Sequence, residues 1–291
     1  MPHVTPAFRS DFDQILPLLR TFPNQRLSSE DWRRLLFEPP WPAPEDRVGY
    51  VLRDGDEVVG FLGTILSTRT IRGRTERFCN LSSWIVRDSH RAASLQLVFP
   101  LLSTRDQTLV NLTASPAAHE VFRSLGFSVL ERTQALIPMV AGLGGLGRAV
   151  GVRRVSDPGR IVAALSGPDR ERAEHVAHTR AAQLLLTRRG ETCHVVATAS
   201  PWRGRWTLAH VQYASDWSRL WDWLPLVNGG FFATLRTFGL RVDGRWLPER
   251  LPGSARRREL ALPTLYRPAH PGITATDVDG LYSELLLQPV P

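Results

Sequence analysis

The stretch Asn80-Leu-Ser-Ser-Trp-Ile-Val-Arg-Asp-Ser-His-Arg-Ala-Ala-Ser-Leu-Gln-Leu97 decides how this chain is read. Phe78–Val86 reads as a strand, a short loop follows, and Arg91–Leu102 reads as a helix, because Leu95, Val98, Phe99 and Leu102 recur at three and four residues. A helix start presents unpaired backbone N–H groups and the positive end of the dipole, which suits a pyrophosphate. Ala92, Ala93 and Ser94 are small enough for that backbone to be approached closely, and Arg91 adds a cation beside it. An ordinary strand–loop–helix connection would show the same local pattern.

Working outward, the elements fall into an order. Upstream, Asp11–Arg20 reads as a helix and Ser28–Leu36 as a second, with Ser28 and Asp31 at its start. A hairpin follows: Val48–Leu52, the turn Asp54-Gly55-Asp56, then Val58–Leu66. Downstream, Thr108–Leu112 is a strand, and Pro116–Leu125 is a helix opened by its proline and stopped by Gly126. Phe127–Leu130 begins another strand that can continue to Ile137. Antiparallel strands followed by strand–helix–strand crossovers predict an α+β, mixed α/β fold, a twisted mixed sheet flanked by helices.

These residues resemble the Gcn5-related N-acetyltransferase superfamily over about residues 1–138. Val86 and Arg91 match the family's strand end and phosphate loop. Ala118, Val121, Gly126 and Phe127 match a later family segment, and Gly60 and Phe61 fit its upstream hairpin. The resemblance implies that acetyl-CoA or another acyl-CoA binds against Trp84, Ile85, Val86, Arg91, Ala92, Ala93, Ser94, Leu95, Ser115 and Phe122. It implies direct attack by an amine or sugar-amine acceptor on the thioester, with backbone N–H groups around Trp84–Val86 facing the oxyanion. Asn80, Ser82 and Ser83 lie where the acceptor would sit and are the candidate catalytic residues. The departures are specific. Ala92, Ala93 and Ser94 stand where the family's loop has glycines, Phe122 stands where it has a tyrosine, and Ser115 where it has an asparagine. Ser82 or Ser83 occupies the position of its usual acid. A non-catalytic acyl-CoA-binding or scaffold protein is therefore the competing reading.

Residues 139–158 are Gly-rich and read as a linker. Gly142, Gly144 and Gly147 match a dinucleotide-binding spacing, but no helix pattern or spaced acid follows. Residues 159–291 read as a second, shorter α/β domain: a helix over Pro168–Leu186, strands near Cys193–Ser200 and Trp206–Tyr213, and a Trp-rich helix near Asp216–Leu226. Beyond these come a run at Phe231–Phe238, a strand near Leu240–Leu247 and a tail, Asp277–Leu287, that could fold back to complete the sheet. The pattern permits a degenerate domain of the same superfamily, giving two tandem halves.

The bulk composition fits this. Of 291 residues, 43% are hydrophobic, and nine Trp with 12 Phe supply bulk for a core. The net charge is +8, and every one of the 36 cations is arginine. The arginines are scattered, which argues against a nucleic-acid partner. The absence of lysine excludes a lysine Schiff base or a lysine general base on this chain. Cys79 and Cys193 are too far apart in sequence for metal-ligand spacing, so no metal is expected. No signal segment or membrane span is read, which leaves a cytoplasmic protein, a small-molecule acceptor, no membrane, and a homodimer as an open option.

Overall fold

A computed structural model describes residues 1–22, 27–204 and 206–288. In chain order its strands are β1 His3–Phe8, β2 Arg47–Asp54, β3 Glu57–Ile71, β4 Arg74–Val86, β5 Gln107–Asn111 and β6 Ser128–Pro138. They continue with β7 Arg153–Val155, β8 Ala182–Arg188, β9 Glu191–Trp202, β10 Trp206–Ala214, β11 Gly239–Asp243 and β12 Arg256–Arg267. The α-helices are α1 Phe12–Leu19, α2 Ser29–Trp32, α3 Phe99–Ser103, α4 Pro116–Ser124, α5 Pro158–Ala164, α6 Gly167–Ala177, α7 Trp217–Asp222, α8 Leu224–Leu235 and α9 Glu284–Leu287. The described residues divide into two compact units: those of 1–130 with 264–278 and 282–288, and those of 131–263 with 279–281.

In the first unit β1, β2, β3 and β4 pair antiparallel in turn. β4 pairs parallel with β5, and β5 pairs antiparallel with β12. The long buried run Val58–Ser67 of β3, rich in β-branched and aromatic side chains, makes the centre of this sheet. Leu62, Leu66, Leu81, Leu109, Phe122 and Phe127 pack one face of it. Ser28 and Ser115 cap α2 and α4 by accepting from Asp31 N and Ala118 N, as their types require.

The second unit repeats the pairing order. β7, β8, β9 and β10 run antiparallel, β10 is parallel to β11, and β11 is antiparallel to β6. Its core gathers Leu184, Val195, Val211, Trp223, Phe231 and Leu240.

Several expectations are corrected. The segment 91–102 is not one helix: residues Asp88–Leu97 form 3-10 turns and α3 begins anew at Phe99. Pro100 has no N–H to give to Gln96, and its ring opposes that carbonyl, so a continuous helix breaks there. The supposed linker is structured. Met139–Ala149 makes 3-10 turns with Gly142 and Ala149 buried, and 153–155 is a sheet strand. A helix over 168–186 would have to take in the first five residues of β8, but α6 ends at Ala177, and Gln183 with the three leucines after it is buried in β8. The run at 231–238 belongs largely to α8. The tail does not complete the first sheet. Leu265, Tyr266 and Arg267 do so, while Glu284–Leu287 makes a single helical turn. Among the described residues, no helix is long and apolar enough to cross a membrane.

Candidate active site

β4 and β5 are paired only from Arg77↔Gln107 to Asn80↔Val110. Beyond that point the strands part, and β4 distorts. Gly63 faces Ser82 while Phe61 faces Ile85, so Ser83 and Trp84 stand two against one opposite Leu62. Such a bulge takes peptide groups out of the ladder and re-aims side chains. Ser83 carries it in the left-handed region, with φ 58°. Gly63 permits the close approach, since a Cβ there would stand 3.0 Å from the Ser82 carbonyl oxygen.

The parting leaves a cavity of about 120 Å³, walled by Ser82, Ser83 and Trp84 on one side and Asn111, Thr113 and Ser115 on the other. Phe122 closes its apolar end, its ring 5.4 Å from that of Trp84. Ser82 Oγ and Ser83 Oγ are 3.3 Å apart. Trp84 Nε1 and Asn111 Oδ1 are buried without a hydrogen-bond partner among the described residues, so these polar groups at the notch are unpaired there.

Beneath the cavity lies a carboxylate that the sequence reading missed. Glu284 is fully buried at the start of α9. Its Oε1 accepts from Thr113 Oγ1 at 2.5 Å, and its backbone N–H donates to Asn80 Oδ1 at 3.0 Å. Burial raises its pKa above the ordinary carboxylate value, against the opposing pull of the Ser82, Thr113 and Asn80 side chains. Glu284 Oε2 is buried with no hydrogen-bond partner among the described residues.

The predicted site residues therefore divide. Asn80, Ser82, Ser83, Trp84, Ser115 and Phe122 are brought together at the notch or on its walls. Ile85 and Val86 continue the β3–β4 ladder beyond it, against Phe61 and Gly60. Residues 91–95 are not arranged as a helix start. They lie inside the 3-10 run, Leu95 is exposed, and Arg91 is largely exposed in an ion pair with Asp88 at 2.8 Å. The expected dipole and free N–H groups at Ala92 are thus absent, because a 3-10 run bonds each N–H to the carbonyl three residues back. His90 is held by Asp54 at 3.1 Å, and Glu76 by His270 at 3.2 Å.

In the second unit, β10 also departs from regular pairing between Val211 and Tyr213. There the Gly280 N–H donates to the Gln212 carbonyl. Trp217 stacks on Trp246 at 4.8 Å and Trp223 is core, so that tryptophan cluster serves packing. Burial pushes His194 down to about 4, and it stays neutral with Nε2 on Gln183 Oε1 at 2.8 Å.

No family model and no curated protein matches the chain. Solved structures do. A GCN5-related N-acetyltransferase from Kribbella flavida superposes with a TM-score of 0.58 at 16% identity, over 92% of this chain and 71% of that one. A probable N-acyltransferase from Enterococcus faecalis gives 0.59 at 12% identity, over 92% and 72%. A GCN5-related N-acetyltransferase from Anabaena variabilis gives 0.55 at 11% identity, over 93% and 73%. At these identities the likeness concerns the fold.

Proposed function

From the premise that the chain has the fold of the Gcn5-related N-acetyltransferase superfamily, we propose that its first unit transfers an acyl group, acetyl in the first instance, from acyl-CoA to an amine or sugar-amine acceptor. The observation that carries this is the notch itself. Two parallel strands part beyond Asn80↔Val110, one of them bulged at Ser83, around a cavity of about 120 Å³. The small volume suits a short acyl chain. The peptide groups that the bulge frees at Ser83 and Trp84 are donors for a developing oxyanion, and Trp84 with Phe122 gives the thioester an apolar wall.

The two ends of the donor fit differently. The thioester end meets unpaired polar atoms at Trp84 and Asn111. The pyrophosphate end would meet Arg91 only after it leaves Asp88, and the backbone of residues 92–95 only after the 3-10 hydrogen bonds there open. That self-paired loop, with Phe122 lacking a hydroxyl, favours the second reading, an acyl-CoA binder without turnover. In the proposal the acceptor is a small molecule and the protein works in the cytoplasm.

Calorimetric titration with acetyl-CoA and longer acyl-CoAs tests binding, and thiol release with an amine panel tests transfer. Micromolar binding that is lost when Ala118→Trp fills the cavity, with thiol release, supports the transferase. Binding without release supports the second reading. No binding to any acyl-CoA overturns both. Arg91→Glu should weaken binding about tenfold if the loop opens onto the pyrophosphate.

A further inference from the structure

The geometry points to Glu284 as the proton acceptor of the first unit, working through the Thr113 hydroxyl. This deepens the proposed transferase and rests on it. Three observations carry it. Glu284 is fully buried, yet among the described residues no cation neutralises it: the groups that act on it are neutral hydroxyls and an amide, from Ser82, Thr113 and Asn80. Thr113, by contrast, is exposed and lines the cavity, while its Oγ1 donates to Glu284 Oε1. The Asn80 side chain bridges the two elements, giving Nδ2 to the Val110 carbonyl at 3.4 Å and taking the Glu284 N–H. Burying a carboxylate without a cation costs several kcal/mol, and a structural role in a sheet notch would be filled more cheaply by glutamine.

The step balances without a further reactant. The acceptor nitrogen attacks the thioester carbon, and a C–N bond forms. The nitrogen gives its proton to Thr113 Oγ1, whose own proton passes to Glu284 Oε1. The C–S bond then breaks, with the electron pair leaving on sulfur. Glu284 returns the proton along the same path to the thiolate, so amide and thiol are the products and the carboxylate is restored. Because the acid acts one hydroxyl away from the acceptor, Glu284 is a positioning and proton-accepting residue behind Thr113.

The ionisable groups on the elements around this turn are few. From residues 33–37, Arg33 and Arg34 are held by Glu38 and Glu30. Arg69 stacks on Phe78 and Tyr282. Cys79, next to Asn80, is buried and pushed up to about 12, so it stays neutral. None of these contributes to the titration of Glu284.

The test uses the full chain, acetyl-CoA, and ethyl 4-aminobenzoate, an arylamine whose electron-withdrawing ester keeps its nitrogen neutral over the range scanned. Glu284→Gln should lower kcat/KM at least about a hundredfold and remove the rising limb of its pH profile, with acetyl-CoA affinity held within about twofold. Glu284→Asp should recover part of the rate with a shifted limb. Thr113→Val should match Glu284→Gln, and Thr113→Ser should approach wild type. Infrared difference spectra against pH should show the protonated carboxyl band, absent in Glu284→Gln and displaced in Thr113→Val. Failure of acetyl-CoA to bind the wild type would overturn the proposed function, with the infrared arm still deciding the Thr113–Glu284 coupling. Normal rates and an unchanged profile in Glu284→Gln, or binding without turnover in the wild type, would overturn the role of Glu284.

Discussion

Thr113 Oγ1 donates a hydrogen bond to Glu284 Oε1 across 171 residues of sequence. The contact ties the turn after β5, where the first unit's cavity opens, to a helical turn near the end of the chain. Ser283, Glu284, Leu286 and Leu287 are all buried there, so the turn is held by packing as well as by hydrogen bonds.

Stability should fall as pH rises through the folded pKa of Glu284. Its folded value is raised above the ordinary 4.5. Between the two values the native state holds a proton that the unfolded chain has lost, so ΔG of unfolding decreases with pH there and is constant above. Urea denaturation across pH should show this decline in the wild type and lack it in Glu284→Gln, which should be the more stable protein at neutral pH.

The opposite slope is expected from His194. Its folded pKa is depressed to about 4 from 6.5, because burial disfavours the imidazolium. The stabilisation is complete above the unfolded value and is lost as pH falls from 6.5 towards 4, amounting to about 3 kcal/mol. Thermal melts should lose this acid dependence in His194→Gln, with a lower Tm throughout as Gln183 loses its imidazole partner.

The bulge at Ser83 stores strain. Replacing Ser83 with glycine relieves φ 58° and should stabilise the fold by up to about 1 kcal/mol. Ser83→Val, β-branched at a left-handed position, should cost about 1–3 kcal/mol and abolish thiol release by flattening the notch. Urea midpoints with the acetyl-CoA assay read both effects.

Gly49 faces Gly63 across β2 and β3. A Cβ at Gly49 would lie 2.2 Å from the Leu62 carbonyl oxygen, with φ at +155°. Backbone stands there, so nothing can turn aside. Gly49→Ala should cost about 2–4 kcal/mol, seen as a lower urea midpoint with an unchanged m-value. Gly55, at the tip of the β2–β3 hairpin with open space around it, should tolerate alanine at about 1 kcal/mol.

Much of the first unit was legible from local chemistry. The hairpin around Gly55, the cap Ser28, the proline start of α4, and the strand carrying Asn80, Ser82 and Ser83 each rest on side chains within a few residues of one another. Periodicity and capping report those interactions, because they act over two to four positions. Other features depended on partners distant in sequence. Residues 231–235 and 182–188 are short, largely apolar segments whose pattern suits helix or strand, and burial in the second unit settled them as part of α8 and as β8. A helix continuous from 91 to 102 is excluded by Pro100, whose effect competes with an otherwise helical spacing. The strand beside β5 and the carboxylate beneath the cavity both come from the last 30 residues, and no local pattern points from Thr113 to Glu284. The sequence by itself determined a mixed sheet and the strand that bears the site. Tertiary packing alone chose the group that stands behind it, because a buried carboxylate is fixed by what encloses it and not by its neighbours in the chain.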